Sequence, residues 1–401
     1  MEFRTMATAA ASVSRWARKF VLASVLFLVA WQAGAVVGIA RRTAVVLGVH
    51  GFVLHMVLGK AYSLVPSYFD RQLSTTRPVP VTLALSVTGV VLLSVAAERT
   101  LPLAGKIGGA AWAMAVLLFV ATLLWTVRDN LTGRETGTGE ANEDRRAVDR
   151  VANAFVPLAL AYLLAGAYGT LSLQFRGVDL VGGYPPRVSH LLAAGTAALL
   201  VFAIGFRLLP RFLVAPSPGR LVWLVLPAGA IGPAILAMSL NGGWPFRLGA
   251  VVESTAVLGF AATYATLYWR SDRSRVGFYG PLFGALAGSV AALFGLWFAF
   301  AGRTPAMVTA HFRLNVLGFL GLTIVGAAYQ FYPPAVGSFV GASDRTALGS
   351  ILCLGGGLLT EVVGLTTGVT GLVTAGRVVA LGGALLYAGL IGGLFYDRYH
   401  Q

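Results

Sequence analysis

One cysteine, five histidines and fifteen acidic residues are all that 401 positions hold of those classes. A single thiol, Cys353, excludes a disulfide framework and a thiolate metal cluster. Charge is scarce as well. Asp, Glu, Lys and Arg make 11% of the chain, against about 25% in an ordinary soluble domain, while 57% is hydrophobic. With a mean hydropathy of +0.78, this composition excludes a water-soluble fold and asks for a lipid bilayer as solvent. Because acid is rarer than base, the formal charge is +15. Nucleic acid is nevertheless not the expected partner. The basic residues sit in short segments between apolar runs, where they set orientation in a bilayer.

Apolar runs of about 20 residues, long enough to cross the hydrocarbon as helices, occur twelve times. They lie near 20–40, 43–65, 79–97, 104–127, 151–174, 188–209, 220–240, 248–269, 278–301, 307–332, 347–368 and 372–396. The first is too long for a signal-peptide core and is followed after only "RRT" by the next, so it reads as a true span. The expected fold is therefore all-α, a single polytopic membrane domain covering 1–401. Its one sizeable polar insertion, 128–150, is Gly/Thr-rich, mixed in charge and expected to be mobile. Lys and Arg concentrate at the N-terminus, the even-numbered loops and the C-terminal tail, nineteen against nine in the odd-numbered loops. The positive-inside rule then puts both termini in the cytoplasm of a multi-pass cell-membrane protein.

The second span ends "GKAYSLVP" (59–66) and the tenth "GAAYQFYP" (326–333), sharing G-x-A-Y-x-x-x-P; the sixth ends "AIGFRLLPRF" (203–212), a looser version. These spans stand four apart in order, which implies three units of four helices, about 20–127, 151–269 and 278–396. The proline closes each helix and the glycine permits close packing. Apart from His400 in the tail, expected to be inert, every histidine falls on these three spans: His50 and His55 on the second, His190 on the sixth and His311 on the tenth. Histidine within a bilayer is costly and normally has a task, and neutral imidazole is a common ligand for iron and copper. His50 and His55 are five residues apart, about 140° around an α-helix, so they should not face one ligand together.

At these residues the chain resembles subunit I of the heme-copper oxidase superfamily. The resemblance implies twelve helices in three pseudo-repeats, with hemes toward the outer face held from helices 2 and 10. The stretch "HFRLNVLGFLGLTIVGAAYQFYP" matches the family's helix 10, which opens with His-x-His: His311 falls on the high-spin heme ligand, and Arg313 replaces the low-spin one. The likeness is specific over this helix, moderate over the second span and architectural elsewhere. The family's helix 2 ligand would fall near Thr43, two turns before His50, and the seventh span lacks the His-His pair of a copper site. A complete oxygen-reducing centre is not expected. The nearer branch is the NnrS-like one, twelve-helix proteins implicated in heme, copper and nitric-oxide biology. The resemblance thus implies a heme, b-type, with copper as a second metal, and an electron donor or small gas as partner. His311, His50, His55 and Arg313 are its cofactor-binding candidates, with His311, His50 and His190 as metal ligands.

Arg313 is always protonated and cannot ligate a metal. It can bind a heme propionate or another anion, or snorkel to the surface. Glu253, Glu361 and Lys60 are three more ionisable residues within spans. Lys60 can snorkel; Glu361 can be protonated, pair with Lys60 or Arg377, or join a proton or ion path with Glu253. Three functions stay open: a heme-binding protein of electron transfer, nitric-oxide or oxygen response, or heme handling; a secondary transporter driven through these carboxylates; and a divergent terminal oxidase or nitric-oxide reductase subunit.

Overall fold

The computed structural model describes residues 2–175, 183–216 and 218–400. Arg176 and the side chains of 2–11 and 399–400, including Arg4 and His400, lie outside the described residues. Twelve helices are long and apolar enough to cross a membrane. They are α1 (Glu2–Val37), α2 (Arg41–Tyr68), α3 (Pro78–Arg99), α4 (Pro102–Thr126), α5 (Arg146–Ser172), α6 (Pro185–Leu213), α7 (Gly219–Ser239), α8 (Gly243–Trp269), α9 (Tyr279–Phe300), α10 (305–331), α11 (Asp344–Thr367) and α12 (Thr370–His400). There is no strand among the described residues. In lipid every backbone N–H and C=O must be satisfied within the segment, which the helix does and an open sheet edge does not. The chain is a multi-pass membrane protein.

The chain forms two compact units, 1–24 with 40–207 and 25–39 with 208–401. In the first, α3 packs on α4, α4 on α5 and α5 on α6. In the second, α7 packs on α8, α8 on α9, α9 on α10 and α11 on α12. Lipid tails are as apolar as leucine, so close van der Waals approach drives these contacts. Glycine supplies it. A β-carbon on Gly357 of α11 would lie 2.6 Å from the Ala380 N and Gly376 O of α12, and one on Gly280 of α9 2.5 Å from the Leu322 carbonyl of α10.

The helices α2, α6 and α10 differ from the rest. Their most apolar windows are 67%, 72% and 78% buried, against 33–50% for the other nine. Each also contains a π-helical stretch: Val46–Val53, Leu191–Ala198 and Leu314–Leu322. These end 13, 12 and 11 residues before Pro66, Pro210 and Pro333. A π turn bonds i to i+5 and shifts the carbonyls out of α register. In two of the stretches a side chain bonds a carbonyl five residues back, His55 Nδ1–H donating to His50 O (2.9 Å) and Thr196 Oγ1 to Leu191 O (3.0 Å); in the third Asn315 Nδ2 donates to His311 O (2.8 Å), four residues back and just before the π stretch. The shared tyrosine recurs likewise, Tyr62 donating to Thr82 of α3 and Tyr329 to Ser350 of α11.

The polar insertion 128–150 is folded onto unit 1 rather than loose. Arg71 bonds Asp129 through Nε at 3.0 Å and Glu135 through Nη1 at 2.6 Å. Asn130 donates to Phe69 O and Glu135 O, and Thr138 to the buried Asp149. Asn153 and Arg207 both donate to Tyr68 O, while Arg207 reaches Asp149 at 3.5 Å and Asn153 Oδ1. Polar composition predicted mobility. The polar side chains instead bond the Phe69 carbonyl just after α2, the Asp149 carboxylate of α5 and one another.

Candidate functional site

His311 stands two residues before the end of the first α-helical part of α10, half-buried. Its Nδ1–H donates to the Ala291 carbonyl of α9 at 3.0 Å. The proton on Nδ1 leaves Nε2 as the basic nitrogen, the arrangement that second-shell carbonyls impose on metal-binding histidines. Asn315 Nδ2 reaches that nitrogen at 3.2 Å. The Phe298 ring meets the imidazole edge-on at 5.3 Å. Gly295 of α9 lies beside the ring, where a β-carbon would make ordinary van der Waals contact, 3.7 Å from His311 Cε1. An oriented imidazole with a basic Nε2 has the donor chemistry that would hold a heme iron, a role that asks for one or two protein donors.

Two residues on, Arg313 is 3% exposed and does not snorkel. Its Nε donates to Glu361 Oε2 of α11 at 2.7 Å and its Nη2 to Gln32 Oε1 of α1 at 2.8 Å. Arg377 of α12 donates through Nε to Glu361 Oε1 at 2.8 Å and through Nη1 to Ala35 O at 3.0 Å. The Arg313 guanidinium lies over the Trp31 indole, 4.8 Å from its centroid, a cation–π contact worth more where water is excluded. Glu361, Gln32 and Trp31 are each 0% exposed. Of the sequence alternatives for Glu361, pairing with Arg377 is what the structure places there, with Arg313 added.

In unit 1, His50 and His55 come together. His50 Nε2–H donates to Thr170 Oγ1 of α5 at 3.1 Å, since that hydroxyl gives its own proton to Gly166 O. Both rings lie against Trp112 of α4, at 5.1 and 6.3 Å, and Phe20 covers His55 at 6.2 Å. The expectation that they point 140° apart fails because the helix between them is π, where residues five apart sit nearly above one another. They are 3% and 0% exposed, so a ligand there would have to displace Trp112. His190 is half-buried, with Nδ1–H on Pro186 O at 2.8 Å.

Lys60 is half-buried on α2. Glu253 of α8 faces Gly232 of α7, whose β-carbon would lie 2.6 Å from Oε2; that oxygen is buried and has no hydrogen-bond partner. Within unit 2 no hydrogen bond or ion pair joins Glu253 to Glu361 among the described residues. Nor do three or more His, Cys, Asp or Glu gather into a metal-holding group among the described residues. A copper ion held by several side chains lacks a donor set there.

Sequence reasoning missed Gln32, Trp31, Asn315 and Arg207. Gln32 and Asn315 carried a signal, each being an uncharged polar residue inside an apolar run. Arg207 gave none, because it reads as one of the basic residues of an inner loop. No protein-family model and no curated protein matches this chain.

Proposed function

We propose that this is a membrane heme protein of the heme-copper-oxidase-like, NnrS-like kind, with His311 as an iron ligand. The observation that supports the reading best is the orientation of His311: Nδ1–H fixed on Ala291 O, which leaves Nε2 as the basic nitrogen. The recurrence of π stretches on the three histidine-bearing helices supports it further, since such stretches are frequent at functional sites. A bound heme supplies an iron that changes oxidation state or takes up a diatomic gas. Ala291 holds the imidazole proton on Nδ1, and Asn315 covers the lone pair until a ligand is present. His50, His55 and His190 are weaker candidates, the first two because Trp112 encloses them. The excess of basic residues at the termini and even loops supports a cell-membrane location with both termini cytoplasmic.

The test is the pyridine hemochrome assay on protein purified in detergent from heme-replete cells. The expected result is about one heme per chain in the wild type, as one imidazole site implies, and a loss of most of it in His311→Ala. Equal heme in both proteins, or none in either, would overturn the assignment. A second reading, a secondary transporter, is favoured by one observation: the unpartnered Oε2 of Glu253, the kind of intramembrane carboxylate that couples ions. It predicts substrate uptake by proteoliposomes that Glu253→Gln abolishes, with no cofactor.

A further inference from the structure

The buried cluster around Arg313 is not electrically closed. Two guanidinium groups share the single carboxylate of Glu361, and it is the one carboxylate bonded to either of them among the described residues. Counted as ions, the group carries one positive charge too many. Arg377 is partly relieved, its side chain being 26% exposed, but Arg313 is buried to 4% and Glu361 to 0%. An excess charge enclosed in a membrane protein requires a counter-charge.

The hydrogen-bond inventory points the same way. Arg313 spends Nε on Glu361 and Nη2 on Gln32, while Nη1 is buried without a partner. Gln32 accepts from Arg313 through Oε1, so its amide nitrogen turns away with both protons unused, and Nε2 too is buried without a partner. The adjacent Trp31 Nε1–H is a third. All the orphans are donors. These three orphan N–H groups cannot satisfy one another, because each nitrogen is a donor and none of the three offers a lone pair. A water molecule would meet part of the donor demand and none of the charge.

We infer that Arg313 and Gln32, beside Trp31, form a binding site for one small monovalent anion, chloride or an oxyanion of nitrate size, at the end of unit 2 where α1 and α11 finish and α10 and α12 begin. The single excess charge sets the valence: a dianion would overcompensate it and would bring more hydration to lose. The site stands on residues other than the heme candidate His311 and does not depend on heme being bound.

The experiment is binding of radiolabelled chloride to the full-length protein in detergent, in a gluconate background of fixed ionic strength. Heme content is read separately by absorbance. One chloride per chain is expected, displaced by nitrate and not by sulfate. In Gln32→Glu the new carboxylate takes the anion's place, so label binding should disappear and the melting temperature in gluconate should reach that of the wild type in chloride. If that variant does not fold, Gln32→Met, which keeps volume and removes the donor, should weaken chloride at least tenfold. Wild-type protein that binds no chloride, or Gln32 variants that bind it unchanged, would overturn the inference.

Discussion

Arg313 shows how one side chain can be read correctly in chemistry and wrongly in place. Its permanent charge and forked donors are evident from the residue type. That it turns inward to Glu361 and Gln32 follows from partners 48 and 281 positions away, which no local pattern encodes. The pairing gives a direct prediction. Glu361→Ala leaves two arginines with no carboxylate, and removing one partner of a buried pair costs about 3–5 kcal/mol. The double change Arg313→Met with Glu361→Met removes the buried charges together and should recover most of that loss. Thermal unfolding in detergent, followed by intrinsic fluorescence, checks both; equal melting of the single and double variants would contradict the pairing. The same logic applies to Arg207 in unit 1. Arg207→Met removes the arginine paired with Asp149, which is 0% exposed, and should lower stability, with the 128–150 segment becoming sensitive to protease.

At the level of elements, helix existence was legible and helix type was not. Runs of apolar residues mark all twelve spans because the bilayer demands both length and hydropathy. The α-to-π change in α2, α6 and α10 leaves no trace in hydropathy. It is accompanied by polar side chains, His55, Thr196 and Asn315, bonding carbonyls four or five residues back, and three such residues in apolar runs look like chance. This is why His50 and His55 were placed on different faces by α geometry yet share Trp112. Close packing was legible only as glycine content, without which glycine matters. The α11–α12 contact separates two neighbours. Gly357→Ala would drive a β-carbon against backbone atoms of Gly376 and Ala380 that cannot yield, at about 1–3 kcal/mol for overpacking. Gly356, with nothing within 4 Å of its β-position, should accept alanine with a gain of up to about 1 kcal/mol from helix propensity. Paired melting curves of the two variants give the comparison, and equal shifts would refute the packing argument.

Across the whole molecule, composition settled the solvent and charge asymmetry gave the orientation proposal, because both are sums over many residues and tolerate local error. Function is not such a sum. It rests on a few groups whose partners are distant in sequence, so His311 could be singled out while Ala291, Asn315 and Gly295 could not. The 128–150 segment shows the same limit: its mixed charge and Gly/Thr content read as mobile, yet Arg71 lies between Asp129 and Glu135. The Arg71 hydrogen bond holds the Asp129 carboxyl below its ordinary value of 3.8. A depressed carboxyl contributes stability that is present above the ordinary value and is lost as pH falls through the folded one. Hydrogen exchange of 128–150 should therefore be unchanged between pH 8 and pH 5, after correction for intrinsic rates, and rise under stronger acid; Arg71→Gln should show the raised exchange already at pH 7.

The central claim concerns His311, and the reduced-minus-oxidised absorbance spectrum of the purified protein tests it most directly, with wild type, His311→Ala and Asn315→Ala measured side by side. The account predicts a b-type Soret and α-band difference in the wild type, its loss in His311→Ala, and its retention in Asn315→Ala, because Asn315 covers the imidazole nitrogen without holding the iron. A wild-type protein that stays colourless after heme supplementation, or a His311→Ala spectrum identical to the wild type, would contradict it.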